Sequence, residues 1–318
     1  MKDGAREEEP PPHYLRQDED GSGTQVWRIE DSEAVRLGVS NPEQGAGTYI
    51  KRGKRTSIWA AFREDTPWFA PGGPETGPFH RLDLPPAHYY RRIARPLNGS
   101  LAHPKSPSAG DERDTIAIGA GQARALTHHL DRICQIVHPH TETLGVYGHE
   151  IRNLLILAAT EVEAHWRGVL VANGRSGQKL NTNDYVRMLP VMRLDQYAVG
   201  FRPYPWLTPI RPFAGWNSQD PTKTLPWYDA YNRVKHDRET QFSDARLEHT
   251  FNAVAACVIM LAAQYTPTIG LGGHSDLSAF FQFAETPKWT PEQSYVSISH
   301  DQDGRWVPVD HPSLIRKL

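Results

Sequence analysis

The chain has 318 residues, 38% of them hydrophobic and 23% charged, with a formal net charge of −2. That length suits one large or two modest domains, and the near-neutral balance excludes a global attraction to nucleic acid or an anionic membrane, leaving only local patches to make such contacts. Cys134 and Cys257 sit in apolar helical patterns with no C-x-x-C or Cys/His spacing, which argues against a zinc framework and for buried thiols in a reducing compartment.

The opening MKDGAREEEPPP lacks the apolar stretch of a secretory signal, so the expected location is the cytoplasm. Residues 1–23 set three basic against seven acidic side chains around three consecutive prolines, and predict a disordered acidic tail. Segment 24–109 has ten prolines and short apolar-aromatic pieces such as VWRIE, TYIKR and SIWAAF, a texture of short strands and loops. Two basic clusters lie in it, KRGKR at 51–55 and Tyr89-Tyr90-Arg91-Arg92; each is either surface charge or a contact for phosphates and bases.

Helical periodicity begins near residue 111. Ala123, Leu126, Leu130, Ile133 and Val137 recur at three- and four-residue steps until Pro139 stops them. A second helix over about 146–172 carries the stripe Ile151, Leu155, Ala158, Val162, Trp166 and Val169, with Glu163 and Arg167 paired on the opposite side; Asn173 and Gly174 end it. Thr182 or Asn183 caps a shorter helix running to about Gln196, kinked or split by Pro190. The Pro- and aromatic-rich segment 197–216 then predicts an extended excursion over the surface.

Pro226 opens the helix PWYDAYNRVKHDRE. Leu247, Phe251, Val254, Val258, Leu261 and Tyr265 mark a last long helix; its apolar run, 251–265, is short of the roughly 20 residues of a membrane span, which makes it a core helix. Residues 271–318 read as an extended C-terminal arm packing on the bundle. The fold class expected is mainly α: a four- to five-helix bundle over 110–270 with irregular and short-strand additions at both ends.

On the 226–239 helix, Trp227, Tyr231, Val234 and Arg238 form one row, while Tyr228, Asn232, Lys235, His236 and Glu239 share a neighbouring surface. An amide, an imidazole, a cation and a carboxylate within two turns either bind something polar or saturate one another. Glu161 and His165, four residues apart, predict a semi-buried acid–imidazole pair facing Lys235 or Arg238, more in keeping with a structural ion pair than an active-site acid. His149-Glu150 is followed by Ile151, Arg152 and Asn153, so there is no H-E-x-x-H metal site. No phosphate loop, dinucleotide fingerprint or G-x-S-x-G elbow occurs, and no cofactor or metal is expected.

Two long helices, an irregular insertion, a helix bearing Y-N-x-x-K-H and a further apolar helix together resemble the HEPN superfamily, in particular its N-x-x-K-H-x-R-bearing prokaryotic members, over roughly residues 110–270. The resemblance implies a helical bundle that homodimerises. In members carrying R-x(4–6)-H it implies metal-independent RNA cleavage, often in stress or phage defence. His236 matches the motif histidine and Asn232 its polar position, but Tyr231, Ala230 and Asp229 stand where the arginine would fall, and Arg233 lies too close to His236. Cleavage through a ribose hydroxyl needs a base and a fixed cation, for which Lys235 and Arg238 are the substitutes. The candidate catalytic set is therefore His236, Asn232, Arg238 and Lys235, with Glu161, His165, Tyr231 and Arg233 as binding residues. Two functions follow as expectations: a protein that binds or cleaves RNA as a metal-independent endoribonuclease, or a non-catalytic interaction and dimerisation protein whose partner is a second copy or another protein. No membrane contact is expected.

Overall fold

The computed structural model describes residues 12–17, 25–39, 41–69, 72–74, 77–96, 112–175, 179–237, 239–266, 275–296 and 309–310. They fall into two compact units.

The first unit is built on a five-stranded antiparallel sheet of β1 (His13–Arg16), β2 (Gln25–Ile29), β3 (Glu33–Arg36), β4 (Tyr49–Lys51) and β5 (Phe79–Arg81) in the order β4-β3-β2-β1-β5. β1 is internal, with Tyr14 opposite Trp27 on one side and Leu15 opposite His80 on the other. Helix α1 (Ile58–Asp65) is started by the Ser57 hydroxyl, which accepts from the Ala60 amide. It brings Phe62 onto the sheet, where Phe62, Trp27 and Phe79 are fully buried with ring centroids 4.8 and 5.2 Å from Phe62. Such edge-to-face aromatic packing supplies much of the apolar burial in so short a sheet. Leu15, Val26, Leu82 and Val296 make a second buried cluster. β6 (His88–Tyr89) and β9 (Val309–Asp310) pair in parallel.

This sheet corrects two expectations. The chain is α+β rather than a mainly-α bundle with irregular additions: the short pieces of segment 24–109 join a strand from the acidic N-terminus in a core of their own. The expected disordered tail fails at residues 13–16, which form β1; residues 1–11 and 18–23 of that expectation lie outside the described residues. Pairing is non-local, so neither the composition of the tail nor the weak alternation of each piece announces it.

The second unit holds α2 (Arg113–Ile136), α3 (His149–Ala172), α4 (Thr182–Tyr185), α5 (Met188–Met192), α6 (Pro226–His236), α7 (Leu247–Tyr265) and α8 (Asp276–Phe280). α7 is central, packed by α2, α3 and α6, and its side chains are buried almost all round. By length and composition it is apolar enough to cross a membrane, yet 83% of that stretch is buried inside the protein, as befits a core helix. Asn181, not Thr182 or Asn183, caps α4 through a reciprocal capping box with Asp184. Pro190 sits in the first turn of α5, where its missing amide costs no intrahelical bond, and the break falls just before it at residues 186–187.

Segment 197–216 runs along the surface after residue 201, as expected, but sends part of its side chains into the core. β7 (Ala198–Phe201) is buried throughout and pairs antiparallel with β8 (Phe281–Glu285). Beyond it, Phe213 and Trp216 are buried against Trp166, the two indoles stacked with centroids 5.0 Å apart. The prolines punctuate a run of tight turns after β7, while the aromatic rings other than the half-exposed Trp206 turn inward to bury their large apolar area. The C-terminal arm is likewise structured where described: α8 and β8 belong to this unit, and Lys288–Asp310 to the first.

Candidate functional site at the end of helix α6

Pro226 at the first helical position and Asp229 in the first turn suit the positive end of α6, and Arg233, Lys235 and His236 in its last turn suit the negative end. Trp227, Tyr228, Ala230, Tyr231 and Val234 form the buried face. Buried phenols require acceptors, and both find Glu163 of α3: Tyr228 donates to Oε1 at 2.5 Å and Tyr231 to Oε2 at 3.5 Å. Lys235 Nζ donates to the Tyr231 hydroxyl at 2.7 Å, its ammonium 4.9 Å from the ring centroid. Burial, then the bond to Glu163, pushes the Tyr228 phenol up; the bond to Tyr231 leads the upward shift of Lys235. Lys235, Tyr231, Glu163 and Tyr228 thus form one polar chain fastening α6 to α3.

The outer surface is different. Arg233 is held by Asp229 at 3.3 Å and by Asp244 at 3.1 Å, which ties α6 to the short turn Phe242–Asp244. Phe242 in turn packs on His149 at 4.9 Å and on Tyr147 at 5.7 Å, with the Arg152 guanidinium 5.4 Å from its centroid. Asn232 Nδ2 donates to the Tyr228 carbonyl at 2.9 Å. Between these braces Asn232, Arg233, His236, Asp237 and Gln241 line a shallow groove of about 390 Å³, in which His236 is exposed.

The candidate residues therefore divide. Asn232, Arg233 and His236 share the groove. Tyr231, at the position where a nuclease motif would carry arginine, is fully buried, and Lys235 is turned back onto it. Arg238 lies outside the described residues. Glu161 and His165 do form the expected pair, at 3.5 Å, but not facing Lys235. His165 is buried, and its Nδ1 takes the Gln264 amide at 3.1 Å. Burial, helped by the Arg92 charge, holds its imidazole down at about 4, so it is neutral at pH 7. Gly119 lets α2 close over the pair: a Cβ there would stand 3.1 Å from Leu261 Cδ2 and 3.3 Å from His165 Cε1. The pair lies against the core of the unit, apart from the groove residues.

Glu163 is the residue that sequence reasoning misplaced. Its i,i+4 relation to Arg167 suggests a surface ion pair, whereas two tyrosines three residues apart on α6 signal the need for a buried acceptor opposite. Glu163→Ala should cost about 1–3 kcal/mol, because it strands both phenols. A urea midpoint unchanged from wild type would show that the chain of bonds contributes nothing.

Compared with protein-family models, curated proteins and solved structures, the chain matches none.

Proposed function

We propose that the helical unit is an HEPN-like interaction module, that the exposed end of α6 pairs it with a second copy of the chain, and that it does not cleave RNA there. The observation that carries this reading is that the charges of α6 are already committed: Arg233 to Asp229 and Asp244, and Lys235 to the Tyr231–Glu163 chain. Binding a phosphate backbone takes cations free to replace counterions, and stabilising a pentavalent phosphorus takes one aimed at the reacting oxygen. The groove presents two amides, an imidazole, the doubly paired Arg233 guanidinium and the Asp237 carboxylate. Such a set of mixed donors and acceptors is self-complementary across a two-fold axis. The buried, unpaired thiols of Cys134 and Cys257 support a reducing cytoplasmic setting.

A second reading, a metal-independent endoribonuclease, is favoured by one observation: His236 is exposed in an open groove beside Asn232, as a base reaching a ribose hydroxyl must be. Incubating the protein with mixed RNAs in EDTA separates the two. The interaction reading expects wild type and His236→Ala to leave the RNA equally intact. Cleavage by wild type at least roughly 100-fold faster than by His236→Ala, the size of a lost general base, would replace it with the nuclease.

A further inference from the structure

The two basic clusters in the N-terminal half have opposite fates. In the first, Arg91 and Arg92 both reach Glu112, at 3.3 and 3.6 Å, and Tyr89 and Tyr90 are buried; that cluster is structural. In the second, every residue of 51–55 is exposed, and Lys51, Arg52, Lys54 and Arg55 have no carboxylate partner among the described residues. The acids of the adjoining turn are engaged elsewhere: Arg28 holds Glu30 and Glu33, each at 3.1 Å, and Tyr49 donates to Glu33 at 2.8 Å. Among the described residues Asp31 is left as the turn's carboxylate without an ion-pair partner, against four cations.

The loop is also anchored. It leaves β4 at the edge of the sheet, where the Arg52 amide donates to the Ser32 carbonyl at 2.9 Å. A turn is closed by the Thr56 amide on Gly53, and Ser57 then caps α1. Four cations held on a short, fixed turn at a sheet edge lose little backbone freedom when they meet a polyanion. The rings beside the loop are engaged within the unit: Tyr49, two residues before Lys51, donates to Glu33, and Trp59, after the turn, packs on the sheet core. Recognition of single strands relies on such rings to stack bases, whereas a double helix offers its densest charge without them.

We propose that the 51–55 loop docks the phosphodiester backbone of a double-stranded nucleic acid, independently of sequence. This site is on the first unit and does not depend on what the end of α6 does. The test is fluorescence anisotropy of a short labelled DNA duplex with the full chain. Four phosphate contacts give a slope of about −3.6 in log affinity against log salt, a loss of roughly 150-fold between about 50 and 200 mM. Replacing Lys51, Arg52, Lys54 and Arg55 together by Gln should remove that slope, and Lys54→Gln with Arg55→Gln should halve it; the pair also serves if the quadruple variant does not fold. Three results would overturn the proposal: no duplex binding at about 50 mM salt, equal affinity and slope in wild type and variants, or binding to phosphatidylserine vesicles without binding to duplex.

Discussion

A chain lacking residues 1–20 should lose the native fold of its first unit altogether. The deletion removes β1, which fills the middle of the sheet between β2 and β5, and with it Tyr14 and Leu15, both buried. The amides and carbonyls of β2 and β5 that faced β1 would have no partners, and each stranded buried group costs about 1–3 kcal/mol. Several such groups exceed the 5–15 kcal/mol that holds a typical domain. Trp27 and Trp59 report on this core, so the check is tryptophan fluorescence and near-ultraviolet circular dichroism during urea unfolding. The expected result is loss of the transition belonging to this unit. A native-like spectrum in the deletion variant would mean that the sheet closes without β1.

Leu155→Asp or Val254→Asp should unfold the second unit just as decisively. Both side chains have no exposed surface, and they lie on α3 and α7, the most extensively packed pair of helices in the unit. A carboxylate there loses the burial of a large apolar group, about 2–5 kcal/mol, and must also either ionise unpaired in the core or take up a proton. The cost is at the upper end of what single substitutions do. The helical circular dichroism signal should melt without cooperativity or at a much lower temperature. A cooperative melt at the wild-type temperature would dissolve the assignment of α3 and α7 as the centre of this unit.

The long helices were legible because their signal is local. α2, α3 and α7 repeat apolar residues at helical spacing over many turns, with stops at Pro139 and at Asn173-Gly174. β1 was not, because HYLR offers two apolar residues inside an acidic stretch and becomes a strand only through partners elsewhere in the chain. The buried side chains of segment 197–216 were missed for a related reason: proline punctuation resembles a surface loop, and only Trp166 across the core shows why Phe213 and Trp216 turn inward.

At the candidate site, helical spacing puts Asn232, Arg233 and His236 together, as the groove lining has them. The same spacing puts Lys235 one turn from Tyr231, onto which it bends back, but it does not show that Arg233 is claimed by Asp244 from a separate turn. Those two contacts decide what the site has left to offer a ligand. The first is an i,i+4 contact within α6, and only the second depends on a residue that the fold brings close.

The central claim is that this hydrogen-bonding end of α6 joins two copies of the chain. Sedimentation equilibrium of the wild-type protein and of a variant carrying His236→Ala and Gln241→Ala tests it most directly, because neither side chain is part of the buried core. The expected result is a dimer for wild type and a monomer for the variant, with the same thermal melt at dilutions where both are monomeric. A wild-type monomer at every concentration, or a dimer that the two substitutions leave untouched, would contradict it.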